Sequence, residues 1–118
     1  MGGYSHLADN ASSSNNSVVL DNSESMYVYG GLNNNMNEGS KTVAHNNTVT
    51  LKNGSSAMYV FGGAGEFANG NTINIQDSTV TAAIFAGTGT SGEDNNTVSI
   101  SGKSVLNNAV IFGGMLHK

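Results

Sequence analysis

The sequence predicts an all-β fold, a parallel β-helix (β-solenoid) of about four coils without a cap. A two-part motif recurs four times with a period of about 27 residues. Apolar and polar residues alternate within its first part, which is the pattern of a strand. The residues that fill both parts are β-branched, aromatic, Asn and Gly, which are poor helix formers. Tandem repeats of this length that carry strands are typical of solenoid proteins.

Composition limits the classes of protein that the chain can represent. It has 118 residues, a net charge of −4 and no Cys, so a single domain over residues 1–118 is expected, without disulfides or thiolate metal sites. Four Lys and no Arg argue against nucleic acid as a partner. No apolar run approaches the roughly 18 residues that span a bilayer, so no membrane insertion by this segment is expected.

The first part of the motif predicts a half-buried strand. An Asn is followed by a hydroxyl residue and then by apolar and polar residues in alternation, and alternate side chains of a strand point to opposite faces. The apolar positions predicted to face the core are Val18, Leu20, Val49, Leu51, Ile73, Ile75, Val98 and Ile100. The hydroxyl residues between them are predicted to face solvent, where Thr favours strands.

The second part of the motif predicts a strand that is apolar on both faces. Its β-branched residues share one register and its aromatic residues the next, directly before a Gly-Gly or Ala-Gly pair. The predicted core residues are Val28, Val60, Ile84 and Ile111, and the predicted aromatic ladder is Tyr29, Phe61, Phe85 and Phe112. The glycines predict a corner that needs either positive φ or close backbone approach.

Stacking of the repeats is expected because one repeat is too small to bury a core of its own. Parallel copies lie about 4.8 Å apart and share one core. The predicted coils cover approximately 2–29, 30–61, 62–85 and 86–112, with a partial coil over 113–118. The Asn that opens each first strand then lies above its counterpart, where stacked amides can hydrogen-bond. The predicted Asn ladder is Asn16, Asn47, Asn71 and Asn96.

Three segments carry a likeness to a known family: GGYS at 2–5, VYGG at 28–31 and NNTVT at 46–50. They resemble the passenger repeats of bacterial autotransporters (type V secretion). The resemblance implies a right-handed parallel β-helix displayed outside the outer membrane, commonly as an adhesin or a stalk. The resemblance also implies a location that is extracellular or on the bacterial cell surface. The chain is expected to be either a segment of a longer passenger or a naturally short solenoid unit.

Two alternative functions stay open at this point. Thr48 and Thr50 place a Thr-x-Thr pattern on the predicted solvent face, which resembles ice-binding solenoids, although the other repeats degrade the pattern. A carbohydrate-active β-helix enzyme is the further alternative, since such enzymes use clustered carboxylates. Only Glu93 and Asp94 are adjacent acids, and neighbours on a strand point to opposite faces.

A non-catalytic extracellular module with a structural or adhesive role is the function that these observations favour. No catalytic residue, metal site or cofactor is predicted. The expected partners are a second copy joined end to end through open strand edges, or adjoining coils of a longer chain. A host glycan or matrix is a further expected partner, held by the polar loops at 4–14, 32–45, 64–70 and 88–94.

Overall fold

The computed structural model of the protein describes residues 1–6, 8–113 and 115–116, and the regular elements in this range are all strands. The predicted partial coil over 113–118 therefore lies partly outside the described residues. The strands are β1 (Tyr4–Ser5), β2 (Ser17–Asp21), β3 (Glu24–Asn33), β4 (Thr48–Lys52), β5 (Ser56–Phe67), β6 (Thr72–Gln76), β7 (Thr79–Phe85), β8 (Thr88–Gly92), β9 (Thr97–Ser101), β10 (Val105–Leu106), β11 (Val110–Phe112) and β12 (Met115–Leu116).

The strands form two sheets whose described pairings are all parallel. One sheet has the order β2-β4-β6-β9, and the other follows β1-β3-β5-β7-β10, with β11 on β7 and β8 between β5 and β12. We number the levels of the stack as rows 1 to 4 after β2, β4, β6 and β9. Equivalent motif positions pair from row to row, as in the column Val18, Val49, Ile73 and Val98. This all-β arrangement of parallel sheets is consistent with a β-solenoid.

Residues in the left-handed region bound the strands of the four-stranded sheet at both ends. They have φ between 48° and 68°, a conformation that Gly, Asn and Asp adopt most readily. Before the strands they are Asn15, Asn46, Gly70 and Asn95, and after the strands they are Asn22, Asn53, Asp77 and Gly102. The first Asn of each Asn-Asn pair therefore turns the chain, and the second lies at the ladder position.

The glycine pairs at 30–31 and 62–63 allow close approach rather than positive φ, since neither pair has a positive φ. A Cβ on Gly63 would lie 2.8 Å from Asn71 Nδ2 and 3.0 Å from Ala44 Cβ. The backbone continues as strand through these pairs, because β3 and β5 run on to Asn33 and Phe67. The loops predicted at 4–14, 32–45, 64–70 and 88–94 are wrong to this extent, as each contains strand residues.

The core lies between the two sheets and is built from the inner rows together with Val28 of row 1. Its buried members are Val28, Val49, Leu51, Ala57, Val60, Ile73, Ile75, Val80, Ile84 and Ala86. Val18, Leu20 and Val98, in rows 1 and 4, are half-buried against this cluster. Ile100 and Ile111 were predicted in the core but are 40% and 43% exposed. Both belong to row 4, which has a neighbouring row on one side only.

Candidate functional site

The four predicted ladder asparagines form one continuous chain of amide hydrogen bonds through the stack. Each of the first three donates its backbone N–H and its Nδ2 to the Oδ1 of the next Asn, at 2.9 to 3.1 Å. In rows 2 to 4 the Nδ2 also donates, at 2.9 Å, to the carbonyl oxygens of Ser13, Ala44 and Ala68 respectively. Asn47 and Asn71 are 0% exposed, so their amides are satisfied inside the protein, as buried polar groups must be.

A shorter set of serine hydrogen bonds lies directly before the second strand of each repeat. Ser23 N–H donates to Ser55 Oγ at 3.1 Å, and Ser78 N–H donates to Ser104 Oγ at 3.3 Å. Ser55 and Ser78, in the inner rows, are buried. The sequence motifs do not include these serines, although their constant place before the strand is a signal that identifies them.

The predicted aromatic ladder is a column of parallel rings on the outer side of the second sheet, the one that contains β3, β5, β7 and β11. Tyr29, Phe61, Phe85 and Phe112 stack with centroids 4.6, 4.9 and 5.0 Å apart and interplanar angles of 3° to 8°. A second pair, Tyr27 and Tyr59, stacks at 5.2 Å. Burial raises the pKa of the Tyr29 phenol above its ordinary value, and the charge of the neighbouring Tyr27 adds to the shift.

This stacking decides which parts of the rings a ligand can reach. The faces of Phe61 and Phe85 are covered by the rings above and below, so only their edges point outward. Stacking of a further ring therefore needs a ring face that no other ring of the column covers, and Tyr29 and Phe112 at the two ends of the column each have one such face. Phe112, at one end, is 37% exposed. The rings favour binding along the stack rather than binding of a flat ligand from the side.

The two ends of the stack carry complementary hydrogen-bonding groups. Within the stack, each Asn donates towards the next row, so the direction of the ladder is fixed. The Asn96 backbone N–H has no acceptor among the described residues, and Asn16 Oδ1 has no donor there. One end therefore offers a donor and the other an acceptor in the same column.

Row 4 also exposes an apolar edge. Val49, Leu51, Ile73 and Ile75 are 0% exposed in the inner rows, whereas Ile100 in the same column as Leu51 and Ile75 is not covered. The exposed apolar residues at this end are Ile100, Val105, Val110, Ile111 and Phe112. An apolar edge with unpaired backbone groups is a template for a further strand.

Glu66 is a buried acid that the sequence did not single out. Its Oε2 accepts hydrogen bonds from Gly39 N–H at 2.8 Å and from Ser91 Oγ at 2.7 Å, and its Oε1 accepts from Lys41 N–H at 2.7 Å. The Gly39 N–H and the Ser91 hydroxyl hold the pKa of this carboxyl below its ordinary value, and Lys41 adds to the shift. The carboxylate therefore anchors the 36–43 segment to the next two rows, and both of its oxygens are occupied.

The outer side of the four-stranded sheet presents hydroxyl groups in register. One column holds Ser17, Thr48, Thr72 and Thr97, and the other holds Val19, Thr50, Asn74 and Ser99. The first column is regular, whereas the second changes chemistry at every row. The predicted Thr-x-Thr pattern is therefore complete only in row 2.

A shallow, open groove of about 370 Å³ lies on the outer side of the second sheet. Its lining residues are Glu24, Ser25, Met26, Ser56, Ala57, Met58 and Thr81. Met26 and Met58 are exposed, and they share the groove with the polar residues Glu24, Ser25, Ser56 and Thr81.

Comparison of the chain with protein-family models, with curated proteins and with solved structures finds no match. Within the described residues, no three potential metal-ligating side chains come together. The same residues include no helix with the length and apolar character needed to cross a bilayer.

Proposed function

We propose that the chain is a non-catalytic structural module, a right-handed parallel β-helix of about four coils that is extended by stacking on its ends. The observation that carries this proposal is the complementarity of the two ends. A donor at Asn96 and an acceptor at Asn16 lie in one column, beside apolar positions that are buried in the inner rows and exposed in row 4. A parallel row placed on row 4 would bury this edge.

The register of the inner rows defines how a second copy would fit. Continuing the columns places Val18 of the second copy on Val98, Leu20 on Ile100 and Tyr29 on Phe112. Each of these contacts is apolar, and none opposes two like charges. The reverse orientation, row 4 against row 4, would place one Asn96 donor against another, so head-to-tail stacking is favoured.

The occupant of the open end is either adjoining coils of a longer chain or a second copy. The likeness of the repeats to autotransporter passengers supports display on the bacterial cell surface, as a stalk or adhesin. Host glycan or matrix, if bound, would contact the segments that join the rows rather than the covered ring faces of the aromatic ladder.

A non-catalytic role is supported by the state of one buried acid, Glu66. Glu66 is 4% exposed, and its three hydrogen bonds favour the ionised form. A general acid needs a raised pKa and a free oxygen, whereas this carboxylate has a lowered pKa and two occupied oxygens.

Sedimentation velocity over a range of concentrations tests the proposal. We expect the wild-type chain to associate as its concentration rises, and Ile100→Asp to remain a folded monomer, because a charge at the open edge blocks the next row. Thr50→Asp, on the outer side of row 2, is the matched control and should associate like the wild type. A wild-type chain that stays a compact monomer at high concentration would contradict the proposal.

Ice binding is the second candidate, favoured by the column Thr48, Thr72 and Thr97. Thermal hysteresis measures this activity directly. We rank it lower because Val19, Asn74 and Ser99 interrupt the second column. Hysteresis that is lost in Thr72→Tyr would reverse this ranking.

A further inference from the structure

The two sheets provide unequal numbers of rows along the stack. The first-strand column has four described members, from Ser17 in β2 to Thr97 in β9. The column beyond the glycine pairs has five described members, which are Tyr4, Leu32, Ala64, Thr88 and Met115. Among the described residues, the stack therefore has one strand more on this side than on the other.

This surplus strand matters when two copies join head to tail. If β2 of a second copy lies on β9, then its β3 lies one row above β12 of the first copy. In the second copy, that row beneath β3 already holds its own β1, paired through Tyr4 and Leu32. The β12 strand of the first copy and the β1 strand of the second copy thus need the same place, and only one strand can hydrogen-bond there.

We propose that β1 and β12 are alternative occupants of one row and that their competition restrains head-to-tail association of this chain. This proposal rests on the proposed function, because it concerns the same end-to-end contact. Association then proceeds by strand exchange, in which one of the two strands leaves and the other pairs with β3 of one copy and β8 of its neighbour.

The hydrogen bonds of β1 determine how strongly the competition weakens head-to-tail association. Gly2 N–H donates to the Tyr29 carbonyl at 2.9 Å, Leu32 N–H to the Gly3 carbonyl at 2.7 Å and Asn34 N–H to the Ser5 carbonyl at 2.7 Å. In addition to these backbone hydrogen bonds, the Tyr4 hydroxyl and Asn34 Nδ2 both contact His6 Nδ1 at 2.8 Å. An incoming β12 can replace the backbone hydrogen bonds but not the side-chain cluster, so exchange has a net cost.

Three deletion variants test the competition, each checked for a cooperative thermal transition by circular dichroism. They lack residues 2–6, residues 113–118, or both segments, and the association midpoint of each is measured by sedimentation velocity. Either single deletion leaves one strand for the shared row. We therefore expect the concentration at which half of the chains are associated to fall at least about tenfold relative to the wild type, because a tenfold change corresponds to the net free energy of one or two backbone hydrogen bonds. The double deletion leaves the row empty and should associate more weakly than either single deletion.

The association of the wild type and the three deletion variants, taken together, separates the failure of this proposal from that of the proposed function. If the wild-type chain stays monomeric at every concentration, the end-to-end proposal itself is wrong. If all four associate alike, or the double deletion associates most strongly, stacking stands and the competition is overturned. General exposure of apolar surface predicts the double deletion to be strongest, so the expected order cannot arise from that cause.

Discussion

At the scale of single residues, each inner ladder amide uses its full hydrogen-bonding capacity. Asn71 Oδ1 accepts from the Asn47 backbone N–H and from Asn47 Nδ2, and Asn71 Nδ2 donates to the Ala44 carbonyl and to Asn96 Oδ1. An amide has two acceptor lone pairs and two donors, so no other side chain of this size fits the position.

Asn71→Asp should therefore destabilise the protein by about 3 kcal/mol or more, because two donors are lost and a buried carboxylate faces two acceptor oxygens. Asn74→Asp, on the outer side of the same strand, should cost less than about 1 kcal/mol, since its one side-chain contact is a 3.5 Å hydrogen bond to Thr50. Urea unfolding of the two variants measures the difference. Equal losses would show that the ladder does not carry the stability assigned to it.

The second glycine of each pair leaves space for the Asn ladder. Gly63→Ala would bring a methyl group to 2.8 Å from Asn71 Nδ2 and 2.9 Å from Asn71 Oδ1, and we expect a loss of about 1–3 kcal/mol. Gly113→Ala has open space at the Cβ position and should leave the melting temperature nearly unchanged. If the two variants melt alike, crowding at the ladder is not the reason for glycine at 63.

At the scale of elements, the sequence predicted the strands that lie in the repeated motif. It did not predict features that depend on contacts with segments outside that motif. The alternation around Val49 and Leu51 identifies β4 without any knowledge of its neighbours. The continuation of β5 to Phe67 was not predicted, because a glycine pair normally ends a strand and only the close approach to Asn71 explains these glycines. The burial of Glu66 depends on the 36–43 segment folding over from the preceding repeat, which no local pattern signals.

Glu66 should make the stability of this region depend on pH. Because its folded-state pKa is lowered, the carboxylate stabilises the fold above the ordinary Glu pKa, about 4.3, and this contribution is lost as the pH falls through the folded-state pKa. Glu66→Gln should lower the melting temperature at neutral pH and flatten its decline in acid. The control is Glu38→Gln, an exposed position on the same segment, which should keep the wild-type profile. Identical profiles for all three chains would exclude this role for Glu66.

At the scale of the whole molecule, equivalence of the rows predicts that one row can be removed. Deletion of 72–96 places Thr97 directly after Asn71, at the register that Thr72 holds on β4. We expect a folded chain with a lower melting temperature, because a solenoid loses one set of nearest-neighbour contacts without losing the rest. Deletion of 72–83, half a repeat, should abolish the cooperative transition seen by circular dichroism. A folded half-repeat deletion would show that register does not determine the fold.

The direction of the hydrogen bonds between rows has a mechanical consequence. They run along the axis of the stack, and β1 and β12 lie at its opposite ends. Tension applied between the two ends of the chain would therefore load the rows one after another, as in the opening of a zipper, instead of shearing a whole sheet at once. Each row that opens releases 24 to 32 residues, or roughly 80–115 Å of extended chain. The module would then lengthen in discrete steps at low force and limit the tension transmitted between the structures attached to its two ends.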